Sequence, residues 1–220
     1  MGNDSEHDTH TTTFDRYGAH VIDIQATPKR LTAKGKLRRA ELIDFAARRF
    51  AEQGYHPTSV AELCEGIGVG KGVFYWYFPS KEALFVEILT ATQRDLRRYQ
   101  QSAIGDEADP VRQIEQGIKA SMEWYDQHRY VVTLFQFAYS EDTWASTLKL
   151  GAQVAVADVA RIVQRGIDDG QFQDADPTLI AHALIGVMEY LSREYLADTV
   201  EHRDAVVRAA TNFCLRGVIG

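Results

Sequence analysis

Apolar residues recur at three- and four-residue intervals along nearly the whole chain, and the runs break at Gly, Pro and short polar clusters. That period is helical, so the pattern predicts an all-α protein. The first run, residues 36–53, puts Ile43, Ala46, Ala47 and Phe50 on one stripe and stops at Gly54. Ser59 and Glu62 have the spacing of a capping box, which starts a second helix running to about Glu65. Gly66 and Gly68 then supply the positive φ of a sharp turn. A third short helix covers residues 70–77, and Pro79 ends it. A fourth begins at Ser80 and continues to about Gln101, with Leu84, Phe85, Ile88, Leu89 and Leu96 inward.

After a polar loop at residues 105–110, three more helices are expected up to residue 170. One has the stripe Ile114, Ile118, Met122, Tyr125, and the next has Val132, Phe135, Tyr139. The long third carries Leu148, Val154, Val159 and Val163, with Gly151 as the point of a kink. Asp174 or Asp176 caps the following helix, residues 177–198, and a last helix covers residues 202–217. The penultimate helix is apolar on two sides, with Leu184, Val187 and Leu191 on one and Ala181, Ile185 and Met188 on the other. A helix apolar over much of its circumference is buried on more than one side. A subunit interface through Ala181, Ile185, Met188, Val206 and Phe213 is therefore expected.

The two short helices carry the most pointed information. Val60, Leu63, Ile67 and Phe74 suffice for a small core between them, which leaves Lys71, Gly72, Val73, Tyr75, Trp76 and Tyr77 without a core role. Gly72 costs a helix roughly 1 kcal/mol against Ala, but it lets a backbone approach another surface. Tyrosines and Trp offer flat bodies with one polar tip each. Such a face suits a DNA major groove, with hydroxyls and the Lys ammonium on phosphates.

Residues 36–89, about a quarter of the chain, resemble the DNA-binding domain of TetR-family transcriptional regulators. The stretches AARRFAEQGYHPTSV and GVGKGVFYWYFPSKEALF carry the likeness, in that order and spacing. The resemblance implies an N-terminal three-helix helix-turn-helix domain (residues 29–89) and a C-terminal helical ligand-binding and dimerisation domain (residues 90–220). It implies that Lys71, Gly72, Val73, Trp76 and Tyr77 lie against base edges, and that Thr58, Ser59, Tyr75, Tyr77 and Lys81 hold phosphates. Tyr77 stands where His is commoner, Val73 where Thr is frequent, and Gly70 where Ser is usual, so one hydroxyl contact is missing. It further implies a homodimer pairing its last two helices, a palindromic double-stranded DNA operator, and repression relieved by a small-molecule effector.

The net charge of −7 changes little, because it is unevenly spread: −4 over residues 1–28, +5 over residues 29–100 and −8 beyond. A basic block binds phosphates locally, since distant charges are screened. Residues 1–28 read as a flexible arm; His7, Asp8 and His10 there lack a fourth partner for a metal. The basic stretch at residues 28–39 suits either a DNA-contacting arm or a plain linker. Two isolated cysteines, the polar start and the lack of a long apolar run point to a cytoplasmic protein outside the membrane. No nucleophile elbow, phosphate-cradling Gly loop, paired-Cys pattern or HExxH helix is present, so neither an enzyme nor a cofactor is expected. The rival class is a helical binding or scaffolding dimer that leaves DNA alone.

For the effector, Met122, Trp124, Tyr125, Phe135, Phe137, Tyr139 and Trp144 fall close together. Their density predicts an aromatic-lined cavity, although a solid core would give the same composition. The scarcity of basic residues there predicts an uncharged or cationic, largely apolar ligand, with Glu123, Asp126 or Glu141 as polar contacts.

Overall fold

A computed structural model describes residues 31–195 and 200–219, without the side chains of residues 200–203. The expected arm over residues 1–28, with His7, Asp8 and His10, lies outside the described residues. Among the described residues the chain forms nine helices and no strand: α1 (Ala33–Gln53), α2 (Val60–Gly66), α3 (Lys71–Tyr77), α4 (Lys81–Ile104), α5 (Pro110–Gln127), α6 (Tyr130–Ser140), α7 (Asp142–Asp168), α8 (Pro177–Tyr195) and α9 (Val200–Ile219).

Capping residues fix most boundaries. The Thr32 hydroxyl accepts from the Gly35 N–H at 3.2 Å, which starts α1 three residues earlier than the apolar stripe indicates. Ser80 caps α4 by accepting from the Ala83 N–H at 3.1 Å. The cap of α8 is Asp176, whose Oδ1 accepts from the Thr178 and Leu179 N–H groups at 2.8 and 3.2 Å. Of the two glycines expected at the turn after α2, only Gly68 has positive φ, at 67°. Gly66 is helical, and its place is set by Phe45, whose ring would stand 2.1 Å from an added Cβ. Gly151 does not break α7, which runs continuously. It marks the close approach of α4 instead: an added Cβ would meet the Gln93 amide at 2.1 Å.

Two apolar cores organise the packing. The first joins Leu42, Ala46 and Phe50 of α1 to Leu63, Phe74, Leu84, Phe85 and Ile88, and Leu134, Ala138, Trp144 and Leu148 complete it from α6 and α7. The second gathers Ile114, Ile118, Met122, Val163, Leu184, Met188, Val206, Ala210, Cys214 and Val218 from α5, α7, α8 and α9. Helix α4 runs from the first core toward the second and packs on both α5 and α7.

Tyr55 welds the first core from the turn between α1 and α2. Its ring lies 4.8 Å from Phe85, 5.6 Å from Phe137 and 5.5 Å from Trp144. Such ring pairs are worth about 0.5–1.5 kcal/mol each beyond area burial.

Candidate nucleic-acid interface and cavity

The interface is built on α2, α3 and the turn between them. Glu62 accepts from the Ser59 N–H at 2.7 Å, and Ser59 accepts from the Glu62 N–H at 3.2 Å, a complete capping box. The Ser59 backbone N–H, and then its hydroxyl, hold the Glu62 carboxyl below its ordinary value. The turn closes when the Gly68 N–H donates to Glu65 and the Val69 N–H to Cys64, at 3.0 and 2.9 Å.

Helix α3 is only seven residues long and hangs on one side chain, Phe74, which is fully buried. Everything else on it faces outward or half outward. Val73, Tyr75 and Trp76 are 38, 55 and 46% exposed, Lys71 and Gly72 are exposed, and Tyr77 is half-buried. Tyr77 meets Trp76 edge-on at 4.7 Å. A Cβ added to Gly72 or Gly70 would touch nothing within 4 Å, so the fold itself does not require glycine at either place. Gly70 caps α3 without a side-chain hydrogen bond.

Two residues expected on phosphates turn inward. The Lys81 ammonium donates to the Tyr55 and Thr58 carbonyls at 2.9 Å each and to the His56 carbonyl at 3.4 Å, and sits 4.3 Å from the Tyr55 ring centroid. Thr58 is buried, and its hydroxyl donates to the Gly54 carbonyl at 2.8 Å. The reason is backbone accounting: the turn after α1 leaves carbonyls without helical partners, and these two side chains satisfy them. In this structure Lys81 and Thr58 hold the α1–α2 turn. The outward set is Ser59, Gly70, Lys71, Gly72, Val73, Tyr75, Trp76 and Tyr77.

The seven residues expected around a ligand separate. Tyr125, Phe135 and Tyr139 line a small compartment of 70 Å³, together with Gln93, Ala152 and Glu189. Met122 is fully buried in the second core. Trp124 is buried; its indole N–H donates to Asp95 at 2.9 Å and its ring stacks on His128 at 4.3 Å, beside an open groove under α1. Phe137 and Trp144 are part of the weld around Tyr55. Three of the six aromatics thus line the small compartment, while Phe137 and Trp144 join α6 and α7 to the helix-turn-helix. Of the expected polar contacts, Asp126 pairs with Arg129 and Glu141 lies 3.5 Å from His56.

A second cavity, of 260 Å³, lies between α4, α5, α7 and α8. Its apolar wall is Ile114, Ile118, Ile162, Leu184, Ile185 and Met188, and Arg97, Gln100, Gln113, Asp158, Arg161 and Arg165 add polar groups. It shares Arg97, Gln100, Ala155, Ile185 and Met188 with the small compartment. Aromatic density could not have revealed it; the available signal was Gly117 and Ala155, small residues at helical spacing among these polar ones.

The expected interface residues also divide. Ala181, Met188 and Val206 are buried within their own subunit, and Ile185 lines the cavities. Only Phe213 stands free of the core, at 69% exposure. The uncovered side of α8 is Leu179, Ala183, Gly186 and Tyr190, beside Ala205, Ala209 and Phe213 on α9. Among the described residues no helix is long and apolar enough to cross a membrane.

Residues 42–88 match the family described as bacterial regulatory proteins, tetR family, and residues 107–218 match the tetracyclin repressor-like C-terminal domain. The chain is 28% identical over 163 residues to the HTH-type transcriptional repressor KstR2 of Mycobacterium tuberculosis, which covers 69% of this chain and 78% of that one. In fold it is similar to a putative TetR-family transcriptional regulator from Syntrophomonas wolfei, at TM-score 0.74 and 21% identity over 84% of this chain and 96% of that one. It is likewise similar to AibR, solved in complex with isovaleryl coenzyme A and operator DNA, at TM-score 0.68 and 17% identity over 80% and 97%. With one match lying on the helix-turn-helix and the other spanning half of the chain, this protein belongs to the TetR family of bacterial transcriptional regulators.

Proposed function

We propose that the protein is a homodimeric repressor in the cytoplasm that binds a palindromic operator through α3 and leaves it when a small, largely apolar effector enters the cavity beside α4. The observation that carries this is the outward face of α3. One buried Phe74 anchors a helix on which Lys71, Gly72, Val73, Tyr75 and Trp76 are exposed, while Tyr77 is partly packed on the first core. Lys71, Gly72, Val73, Trp76 and Tyr77 would lie against base edges, and Ser59, Tyr75 and Tyr77 against phosphates. The repressor sense draws on KstR2, and effector control on AibR, which was solved with both a ligand and operator DNA.

A dimer formed on the uncovered faces of α8 and α9 would present two α3 helices to half-sites one DNA turn apart, about 34 Å. Effector binding shifts DNA affinity only by its preference between two dimer shapes, and a hundredfold release needs about 2.7 kcal/mol. The test is an electrophoretic shift of genomic fragments at several salt concentrations, followed by footprinting of retained fragments. A symmetric footprint over two half-sites is expected, with affinity falling steeply as salt rises. Retention of no fragment, or equal retention of all, overturns the reading and favours a helical binding dimer.

A further inference from the structure

The cavity has a charge asymmetry that bears on its ligand. Four of its lining residues are charged, namely Arg97 on α4 and Asp158, Arg161 and Arg165 on α7. Asp158 is shared between Arg97 and Arg161, each of which donates to one of its oxygens. Arg165 donates to the amide oxygen of Gln113, a neutral acceptor. Three guanidinium groups thus face one carboxylate, a local excess of two positive charges. The Arg97 and Arg161 side chains are 42 and 72% exposed, so the basic group forms the mouth and the Ile, Leu and Met wall forms the floor.

We infer that the effector is an amphiphilic anion: a carboxylate or phosphate head held by Arg97, Arg161 and Arg165, with an apolar body of medium length on Ile114, Ile118, Ile162, Leu184, Ile185 and Met188. This rests on the reading of the cavity as the effector site, and it replaces the uncharged or cationic ligand expected from sequence. A guanidinium holds a carboxylate or phosphate with paired, charge-assisted hydrogen bonds, and each arginine here has N–H groups left over from its bond to Asp158 or Gln113. The far compartment sets the orientation. It presents the Glu189 carboxyl, which would repel an entering anionic head but not an alkyl end. The head accordingly stays between α4 and α7, where Arg97 and Arg165 come from different helices. An anion bridging them would tie α4, the helix that leads out of the DNA-binding hairpin, to the ligand domain.

The test is calorimetry on the full chain with three probes of one chain length: decanoate, decanol and decyltrimethylammonium. Decanoate is expected to bind at least tenfold more tightly than decanol, a difference of about 1.4 kcal/mol, and the ammonium weakest. Decyl phosphate, a fourth probe, is expected to bind more tightly than decanol as well, and whichever of the two anions binds more tightly assigns the head group to phosphate or carboxylate. Arg165→Gln, and separately the exposed Arg161→Gln, should weaken decanoate binding severalfold more than decanol binding. Asp158→Asn should strengthen decanoate binding. Equal or tighter binding of decanol or the ammonium, a preference untouched by both arginine changes, or binding of none of the probes overturns the inference. Operator binding of the ligand-free protein is measured in parallel. If it persists without decanoate binding, the inference falls alone; if it is absent, the functional reading falls first.

Discussion

Gly72 separates the demands of folding from those of recognition. In the free protein its missing side chain leaves open space, so Gly72→Ala should raise stability by about 0.5–1 kcal/mol through helix propensity. If α3 lies with its backbone close to base edges, the same methyl should cost at least tenfold in operator affinity. Denaturation and binding measured on the one variant decide the matter, and unchanged operator affinity would remove Gly72 from the interface. Lys81 is the opposite case. Its ammonium satisfies carbonyls 23 to 26 residues earlier in the chain, so Lys81→Met should destabilise the protein by about 2 kcal/mol in urea denaturation. A loss of DNA affinity without loss of stability would return Lys81 to the phosphates. The contrast explains what was legible at this scale. The Ser59–Glu62 capping box is a local pattern, read directly from two residues three apart. The acceptors of Lys81 and Thr58 are backbone carbonyls, which leave no mark in side-chain identity.

Helices were legible because their apolar stripes and caps are local, and all nine arise from the runs that predict them. Which way a doubly apolar helix faces is a different question. On α8 both stripes are apolar, and the cavity side and core side look alike in sequence. The structure gives Ala181 and Met188 to the subunit's own core and leaves Leu179, Ala183, Gly186 and Tyr190 uncovered. Small residues at 183 and 186 allow close approach of a second helix, a feature hidden behind the more hydrophobic Ile185 and Met188. If the proposed dimer forms on this face, Ala183→Glu should bury an unpaired charge, yield a monomer by light scattering and abolish operator binding. A dimer of unchanged mass would place the interface elsewhere. The capping box of α2 makes a second prediction. A carboxyl held below its ordinary value contributes stability above that value and loses it as the pH falls through the depressed one. Glu62→Ala should thus be less stable than the parent at pH 7, and the gap should narrow at pH 3. A gap that widens in acid would show that Glu62 acts through something other than its ionised cap.

At the scale of the molecule, the aromatic stretch between Trp124 and Trp144 divides between the small compartment and the first core, because composition does not say which core an aromatic joins. Phe137 and Trp144 fasten the ligand domain to Tyr55 and Phe85 beneath the helix-turn-helix. With that end fixed, the effector control proposed above would act on the hairpin through α4, which packs on both α5 and α7. The seam that sets α4 against α7 is narrow: Gln93 donates to the Leu148 carbonyl at 3.0 Å, over the space that Gly151 leaves empty. An alanine at 151 would press on the Gln93 amide and move α4 or its side chain, although Gln93 lies 16 residues beyond Tyr77, the last residue of α3. Gly151→Ala should therefore change operator affinity or effector release by about fivefold, a coupling of roughly 1 kcal/mol. Shortening the opposing side chain tests the cause, since the double variant Gly151→Ala with Gln93→Ala should recover most of the parent's response. Fluorescence anisotropy with labelled operator reads both variants. Affinity and release unaltered by Gly151→Ala would mean that α4 answers to the cavity without using this seam, and a change that Gln93→Ala fails to relieve would assign the effect to the backbone of α7 itself.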